Sequence, residues 1–261
     1  MIFKKKTAST MTPYEKVLYN RKSTRLSTDY INNLFTDFIE MHGDRRFSDD
    51  SAMITGIAKL GDTPVTVIAQ EKGGDLKAKQ ARNYGMSHPE GYRKALRQMK
   101  LAEKFGRPII CLVDTSGAFC GLGAEERGQG QAIAENLLEM SHLKVPIIAI
   151  LIGEGGSGGA LGIALADEVW MLENAVYSVI SPEGCASILW KDSKKSEEAA
   201  ASLKLTAEDL LGFKVIDKII PENDEVYEGL KVMLLQNILR LSRLTTEQLL
   251  ENRYNKFRAI K

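Results

Sequence analysis

Three stretches of the chain share one grammar: a proline, an apolar β-rich run, then a glycine-bearing loop. They are Pro64-VTVIAQEKGG, Pro108-IICLVDTSG and Pro146-IIAILIGEGGSGG. Near-continuous apolar runs of this kind suit strands buried on both faces, and their spacing leaves room for a helix between each pair, which predicts a repeated crossover unit with parallel β structure between helices. Between the first two, Tyr92, Ala95, Leu96, Met99, Ala102 and Phe105 fall on one helical face behind Pro89 and Glu90, residues that a first turn prefers. Between the second and third, Ile133, Leu137 and Met140 mark another helix.

An opening helix is expected from about Tyr30 to Glu40, ending by Gly43, because Ile31, Leu34, Phe35, Phe38 and Ile39 recur at helical spacing behind Ser27, Thr28 and Asp29. The polar, alanine-rich stretch from Lys191 to Ala201 reads as a solvated connection or helix. The end is helical twice, first with Val226, Leu230, Met233, Leu234 and Leu241, then from Thr245 behind a cap-like Thr-Thr-Glu-Gln. No low-complexity linker divides the 261 residues, so one large α/β domain is expected.

Lys plus Arg (35) nearly cancels Asp plus Glu (34), which gives no electrostatic case for nucleic acid as the main ligand. The longest clean apolar run, Val145 to Ile152, is eight residues, and the start MIFKKKTAST has no apolar stretch of signal length behind its basic residues. No membrane crossing is expected. Cys111, Cys120 and Cys185 are widely separated and lack zinc or disulfide spacing, which predicts reduced thiols and a cytoplasmic chain.

Gly153-Glu-Gly-Gly-Ser-Gly-Gly159 follows a strand pattern and precedes a helical one, so it is a strand-to-helix turn with exposed backbone amides, suited to an anion or oxyanion. The structural alternative is close helix–strand packing that wants small residues. Gly153, Gly155 and Gly158 fit the dinucleotide pattern GxGxxG, with Glu173 about twenty residues on. Gly155, Ser157 and Gly159 fit a GxSxG nucleophile elbow. His42, His88 and His142 all precede Ser157, whereas hydrolases built on that elbow place the histidine after the serine. No Gly-Lys-Ser/Thr of a phosphate-binding loop occurs.

A second glycine loop, Asp114-Thr-Ser-Gly-Ala-Phe-Cys-Gly121, closes the middle strand, with amides near Gly117 and Ala118. Two such loops on neighbouring strands could flank one pocket and stabilise an enolate, where a single donor is worth roughly 3 kcal/mol. Here the longer motifs matter: HGDRRFSDD (42 to 50), SHPEGYRKALRQMKLAEKFGRPII (87 to 110), GAEERGQ (123 to 129), GEGGSGGALGIALAD (153 to 167) and YSVISPEGCASILWKD (177 to 192). In order and over nearly the whole chain, they resemble the carboxyltransferase alpha subunits of multisubunit acetyl-CoA carboxylases.

That resemblance displaces the dinucleotide reading and implies an α/β, crotonase-like fold of repeated ββα units with flanking N- and C-terminal helices. On it, 1–45 is a helical extension, 46–220 the core and 221–261 the terminal helices of a single carboxyltransferase domain. It implies transfer of a carboxyl group from carboxybiotin, on a separate biotin carrier protein, to acetyl-CoA, forming malonyl-CoA for fatty-acid synthesis. It further implies an α2β2 assembly with a beta subunit that carries zinc and most of the CoA site. Biotin carboxyl carrier protein and an ATP-consuming biotin carboxylase complete the complex, and this chain itself holds no metal.

In the implied mechanism carboxybiotin releases CO2, the ureido anion takes a methyl proton, and the enolate attacks CO2. Backbone amides steady both anions: Gly117 and Ala118 on one loop, Gly155 and Gly156 on the other. Ser157, Gly158, Gly159 and His88 are expected to face substrate, with a structural hydrogen bond as the other reading of His88. The competing classes are a stand-alone crotonase-like hydratase or thioesterase, and an interaction protein that keeps the fold without the chemistry.

The middle loop departs from the family's usual DTPGAYPG. Ser116 and Cys120 replace two ring-fixed positions and Phe119 lacks a hydroxyl, so the loop is expected to be less preorganised. Elsewhere, Arg45 and Arg46 are expected to pair with Asp49 and Asp50, Glu125 to Arg127 to serve a helix start, and Lys191, Lys194 and Lys195 to be solvated.

Overall fold

A computed structural model describes residues 11–23 and 25–260; the basic start MIFKKKTAST lies outside the described residues. The chain enters through helices α1 (Pro13–Lys22) and α2 (Ser27–Leu34), then strands β1 (Thr36–Glu40), β2 (Met53–Leu60) and β3 (Thr63–Gln70). Helices α3 (Leu76–Ala81) and α4 (Pro89–Lys104) lead to β4 (Ile109–Thr115), and α5 (Leu122–Glu126) and α6 (Gln129–His142) to β5 (Ile147–Gly156). There follow α7 (Ser157–Ala164), β6 (Glu168–Leu172), β7 (Val176–Ser178), α8 (Pro182–Trp190), α9 (Ser196–Leu203), α10 (Ala207–Gly212) and β8 (Lys218–Ile220). Helices α11 (Val226–Leu241) and α12 (Thr246–Arg258) close the chain.

The three proline-led runs are β3, β4 and β5, central neighbours of one sheet ordered β1-β2-β3-β4-β5-β6-β8, with β7 paired to the far end of β5. From β3 onward the pairings are parallel, whereas β1, β2 and β3 pair antiparallel. The first unit is thus a hairpin followed by a helix. Every residue of β4 is buried, as a strand covered on both faces requires. One apolar cluster runs from Tyr30 on α2 through the sheet to Leu249 on α12.

The expected Tyr30–Glu40 helix is half right. It stops at Leu34; Phe35 is extended (φ −119°, ψ 156°), and Thr36–Glu40 is an edge strand. The reason lies in β2: a Cβ on Gly56 would meet the Phe38 ring at 2.4 Å and the Ile39 carbonyl at 2.5 Å. That glycine opens a slot for Phe38, so pairing with a distant residue overrides the local helical period.

Two smaller expectations also change. Phe105 leaves the apolar face of α4, standing 61% exposed beneath the Arg107 guanidinium. The Lys191–Ala201 stretch forms a short turn and the start of α9, and Ala199 and Ala200 are fully buried. The Thr-Thr-Glu-Gln signal is a capping box: the Gln248 amide donates to Thr245 Oγ1 (3.2 Å) and the Thr245 amide to Gln248 Oε1 (3.0 Å). Helix α12 is then locked by Arg253, whose guanidinium reaches Asp167 (2.8 and 2.9 Å) and the carbonyls of Met140, Leu143 and Val145.

Candidate active site

Strands β4 and β5 pair in parallel from Ile109 opposite Ile147 to Val113 opposite Leu151 and, after a register shift, at Thr115 opposite Gly155, so their glycine loops leave the same edge of the sheet. They interlock. A Cβ on Gly156 would lie 2.2 Å from the Ser116 carbonyl carbon and oxygen, and one on Gly159 would lie 2.4 Å from the Ala118 nitrogen. Glycine is demanded at both places by backbone-to-backbone contact. Gly158 meets nothing within 4 Å and faces open space.

Within the middle loop the Gly117 amide donates to Thr115 Oγ1 (3.1 Å), and that hydroxyl donates to the Gly117 carbonyl (2.7 Å). The Ala118 amide has no hydrogen-bond partner among the described residues. Beside it begins α7, whose first-turn amides lack intrahelical acceptors and carry the positive end of the helix dipole. Ser157 makes the strand-to-helix turn at φ +43°. The Gly159 carbonyl accepts from Gln70 Nε2 (2.7 Å) and the Tyr92 hydroxyl (3.2 Å), fixing that turn to β3 and α4.

A pocket of about 290 Å³ opens here, lined by Ser116, Gly155, Gly156 and Ser157, with Arg21 of α1 and Ser178 of β7. Ser157 and Ser178 also border an apolar hollow of about 480 Å³ formed with Gly158, Leu161, Tyr177 and Val179. A groove of about 500 Å³ along α4, among Arg46, Arg97, Lys100 and Lys104, takes no residue from either glycine loop.

Beneath the loops lies a charge chain that sequence reasoning did not single out. Lys72 Nζ stands 2.7 Å from Asp114 Oδ1 and 3.0 Å from Glu154 Oε2. Arg21 approaches the other oxygen of Glu154 (3.5 Å) and grips Glu183 at 2.8 and 3.1 Å; the Tyr14 hydroxyl donates to Glu183 (3.1 Å). Burial opposes the Lys72 ammonium, but the two carboxylates outweigh it and raise its pKa. Burial pushes the Asp114 carboxyl up. The available signal was an acid closing each buried strand, just ahead of its glycine loop.

The expected site residues fall into groups. Gly117, Ala118, Gly155, Gly156, Ser157, Gly158 and Gly159 converge on the interlocked loops. His88 sits at their flank, its ring 4.0 Å from that of Phe119, its Nδ1 3.4 Å from Arg127 Nη2 and its amide donating to Asp50 (2.7 Å). Its side chain does not cap α4.

Glu173, the acid of the dinucleotide pattern, accepts from the Glu222 amide (2.8 Å) at the ends of β6 and β8. No histidine bonds to Ser157 among the described residues, so the nucleophile elbow lacks its base: His42 bonds Asp49 and His142 bonds within α6. The expected pairing of Arg45 and Arg46 with Asp49 and Asp50 is not made. Asp49 takes Lys94 (2.6 Å) and Asp50 takes backbone amides, because the folded loop brings the buried end of Lys94 under it. Arg127 pairs with Glu90 on α4.

Among the described residues no cluster of His, Cys, Asp or Glu could hold a metal ion, and no helix is long and apolar enough to cross a membrane.

The chain is similar to known proteins over nearly its whole length. The subunit alpha of the Ruminiclostridium cellulolyticum acetyl-coenzyme A carboxylase carboxyl transferase is 61% identical over 255 residues, covering 96% of this chain and 98% of that protein. A Natranaerobius thermophilus protein named for subunits beta/alpha is 58% identical over 259 residues, covering 96% of this chain and 43% of the longer protein.

Among solved structures, a transcarboxylase 12S core superposes with a TM-score of 0.69 at 19% identity, over 82% of this chain and 42% of that one. A Pseudomonas malonate decarboxylase hetero-tetramer with coenzyme A gives 0.66 at 17% identity, over 80% of this chain and 86% of that one. These two likenesses establish a shared fold. The family model for acetyl co-enzyme A carboxylase carboxyltransferase-like proteins matches residues 2–261, and with an alpha-subunit relative 61% identical over 98% of its length the chain belongs to that family, as a subunit of the alpha type.

Proposed function

We propose that this chain is the alpha half of a carboxyltransferase that passes the carboxyl group of carboxybiotin, borne on a separate carrier protein, to acetyl-CoA to give malonyl-CoA for fatty-acid synthesis. The observation that carries the reading is the interlock of Gly156 and Gly159 with Ser116–Ala118, which brings both glycine loops together beside the pocket lined by Ser116, Gly155, Gly156 and Ser157.

The unpartnered Ala118 amide and the small-residue floor of the pocket fit the flat bicyclic head of biotin, with the apolar hollow beside Ser157 to take its less polar side. Carboxybiotin, when bound, supplies the carboxyl group. The chain's own part is to bind, orient and stabilise charge. Ala118 on the first loop, and Gly155 and Gly156 on the second, serve as donors, with the α7 dipole behind them; Gly117 shapes the turn, its amide being held by Thr115. Donors preorganised in this way need no rearrangement as charge develops. Ser157, Gly158 and Gly159 line the substrate space, and His88 braces the middle loop through Phe119.

Half of the site is assigned to a beta subunit, in an α2β2 assembly, bearing zinc and most of the CoA contacts. The relative named for both subunits, in which the alpha-like part is 43% of the chain, supports a beta partner. Biotin carboxyl carrier protein and biotin carboxylase complete the cytoplasmic enzyme, and residues 1–261 act as one domain.

The test is malonyl-CoA-dependent transfer of a carboxyl group to free biotin. A purified alpha–beta complex is expected to catalyse it and the alpha chain alone not; an inactive complex overturns the reading.

A further inference from the structure

Where Gly156 and Gly159 meet Ser116–Ala118 the two glycine loops touch by backbone alone, since neither glycine has a side chain with which to grip. The middle loop from Asp114 to Gly121 also contains no proline that would fix its backbone. Its placement therefore has to come from elsewhere. Asp114 stands two residues before Ser116, and Glu154 directly before Gly155; the carboxylates of both meet one ammonium.

We propose that Lys72 is a positioning residue for the transfer reaction, its ammonium between Asp114 and Glu154 setting the spacing of the two donor loops; this rests on the carboxyltransferase reading above. Lys72, Asp114 and Glu154 side chains are 14%, 9% and 14% exposed, and the Glu154 amide also donates to Asp114 Oδ1 (2.8 Å). The site is cut to fit. A Cβ on Gly153 would lie 2.4 Å from Asp114 Oδ1, and one on Gly85, at φ +79°, would lie 2.9 Å from Lys72 Cγ.

The same lysine sets local charge. Asp114, Glu154 and Glu183 face Lys72 and Arg21, three carboxylates to two cations. The neighbouring Glu71 turns its carboxylate to the amides of Thr28 and Gly73 instead. Without Lys72, excess negative charge stands next to the amides that must stabilise a substrate anion, where low dielectric magnifies it.

The experiment compares wild type, Lys72→Met and Lys72→Met/Glu154→Gln alpha chains, each in complex with the beta subunit, by malonyl-CoA-dependent carboxylation of free biotin. Lys72→Met is expected to lower kcat about 30- to 300-fold with KM for biotin within about threefold, because displaced donors act on the transition state more than on binding. Its deficit should shrink as pH falls, since two carboxylates without their cation come to share a proton. The double variant, relieved of one charge, should recover about tenfold over Lys72→Met.

A wild-type complex that transfers nothing defeats the carboxyltransferase reading itself. With wild type active, the positioning role is overturned if Lys72→Met keeps kcat within about threefold of wild type. It is equally overturned if the deficit is independent of pH, tracks the loss of folded complex and persists in the double variant.

Discussion

Gly156 and Ser116 lie backbone against backbone: a methyl group on Gly156 would stand 2.2 Å from both carbon and oxygen of the Ser116 carbonyl. Gly156→Ala has to push the two loops apart. Overpacking of this kind costs about 1–3 kcal/mol, and a shift near 1 Å in the donors costs about 100-fold in kcat. Gly158→Ala, two residues on, meets open space; it should leave the melting temperature unchanged or raise it, since alanine is the better helix former by about 0.5–1 kcal/mol. Thermal denaturation of both chains, with steady-state rates of the Gly156→Ala complex, checks the pair.

In the function proposed above, Ser157 serves the site through its backbone. Ser157→Ala is expected to reduce transfer by less than about tenfold, whereas loss of a true nucleophile costs about 10⁴-fold or more. A single rate measurement on the variant complex separates the two.

Asp44 makes stability acid-sensitive. Burial pushes its carboxyl up, but the amides of Phe47 (2.8 Å) and Arg46 (2.9 Å) and the Arg93 guanidinium (2.8 Å) outweigh this and hold it below the ordinary value. A carboxyl depressed in the folded state contributes stability that is fully present above its unfolded pKa, near 3.9, and is lost as pH falls through the folded value. Urea midpoints should therefore drop below about pH 4 in wild type, more steeply than in Asp44→Asn. At neutral pH that variant should be weaker by about 1–2 kcal/mol.

Legibility followed range. The three proline-led strands, helix α4 and the α12 cap were written in contiguous residues, and the strand ends announced both glycine loops. What could not be read was pairing across distance. Phe38 belongs to a strand only because Gly56 makes a slot for it. Lys72 looked like one lysine among many until folding set it beside Asp114 and beside Glu154, 82 positions away. The site's glycines could be counted; that Gly156 and Gly159 press on Ser116–Ala118 needed the parallel register of β4 and β5.

Arg253 holds the terminal helix by charge as well as by packing. Its side chain is 1% exposed and that of Asp167 3%. Arg253→Met leaves the Asp167 carboxylate buried without its cation and should cost about 3–5 kcal/mol, while Arg253→Met/Asp167→Asn should cost less than Arg253→Met. Chemical denaturation of wild type and the two variants tests this, with the order reversed if the pair is immaterial.

Helix α1 is made among the first residues of the chain, yet everything it holds is made late. Lys16 reaches the Glu173 carbonyl and Glu208, 157 and 192 positions on, Asn20 the Asn174 carbonyl, and Arg21 Glu154 and Glu183. Contacts over such separations close long loops and form slowly. On the ribosome α1 must wait, undocked, until Glu208 has emerged. Strands β1 to β7 can pair before then, with β8 still to come, and the wall that Arg21 gives the pocket is among the last parts of the site to be built.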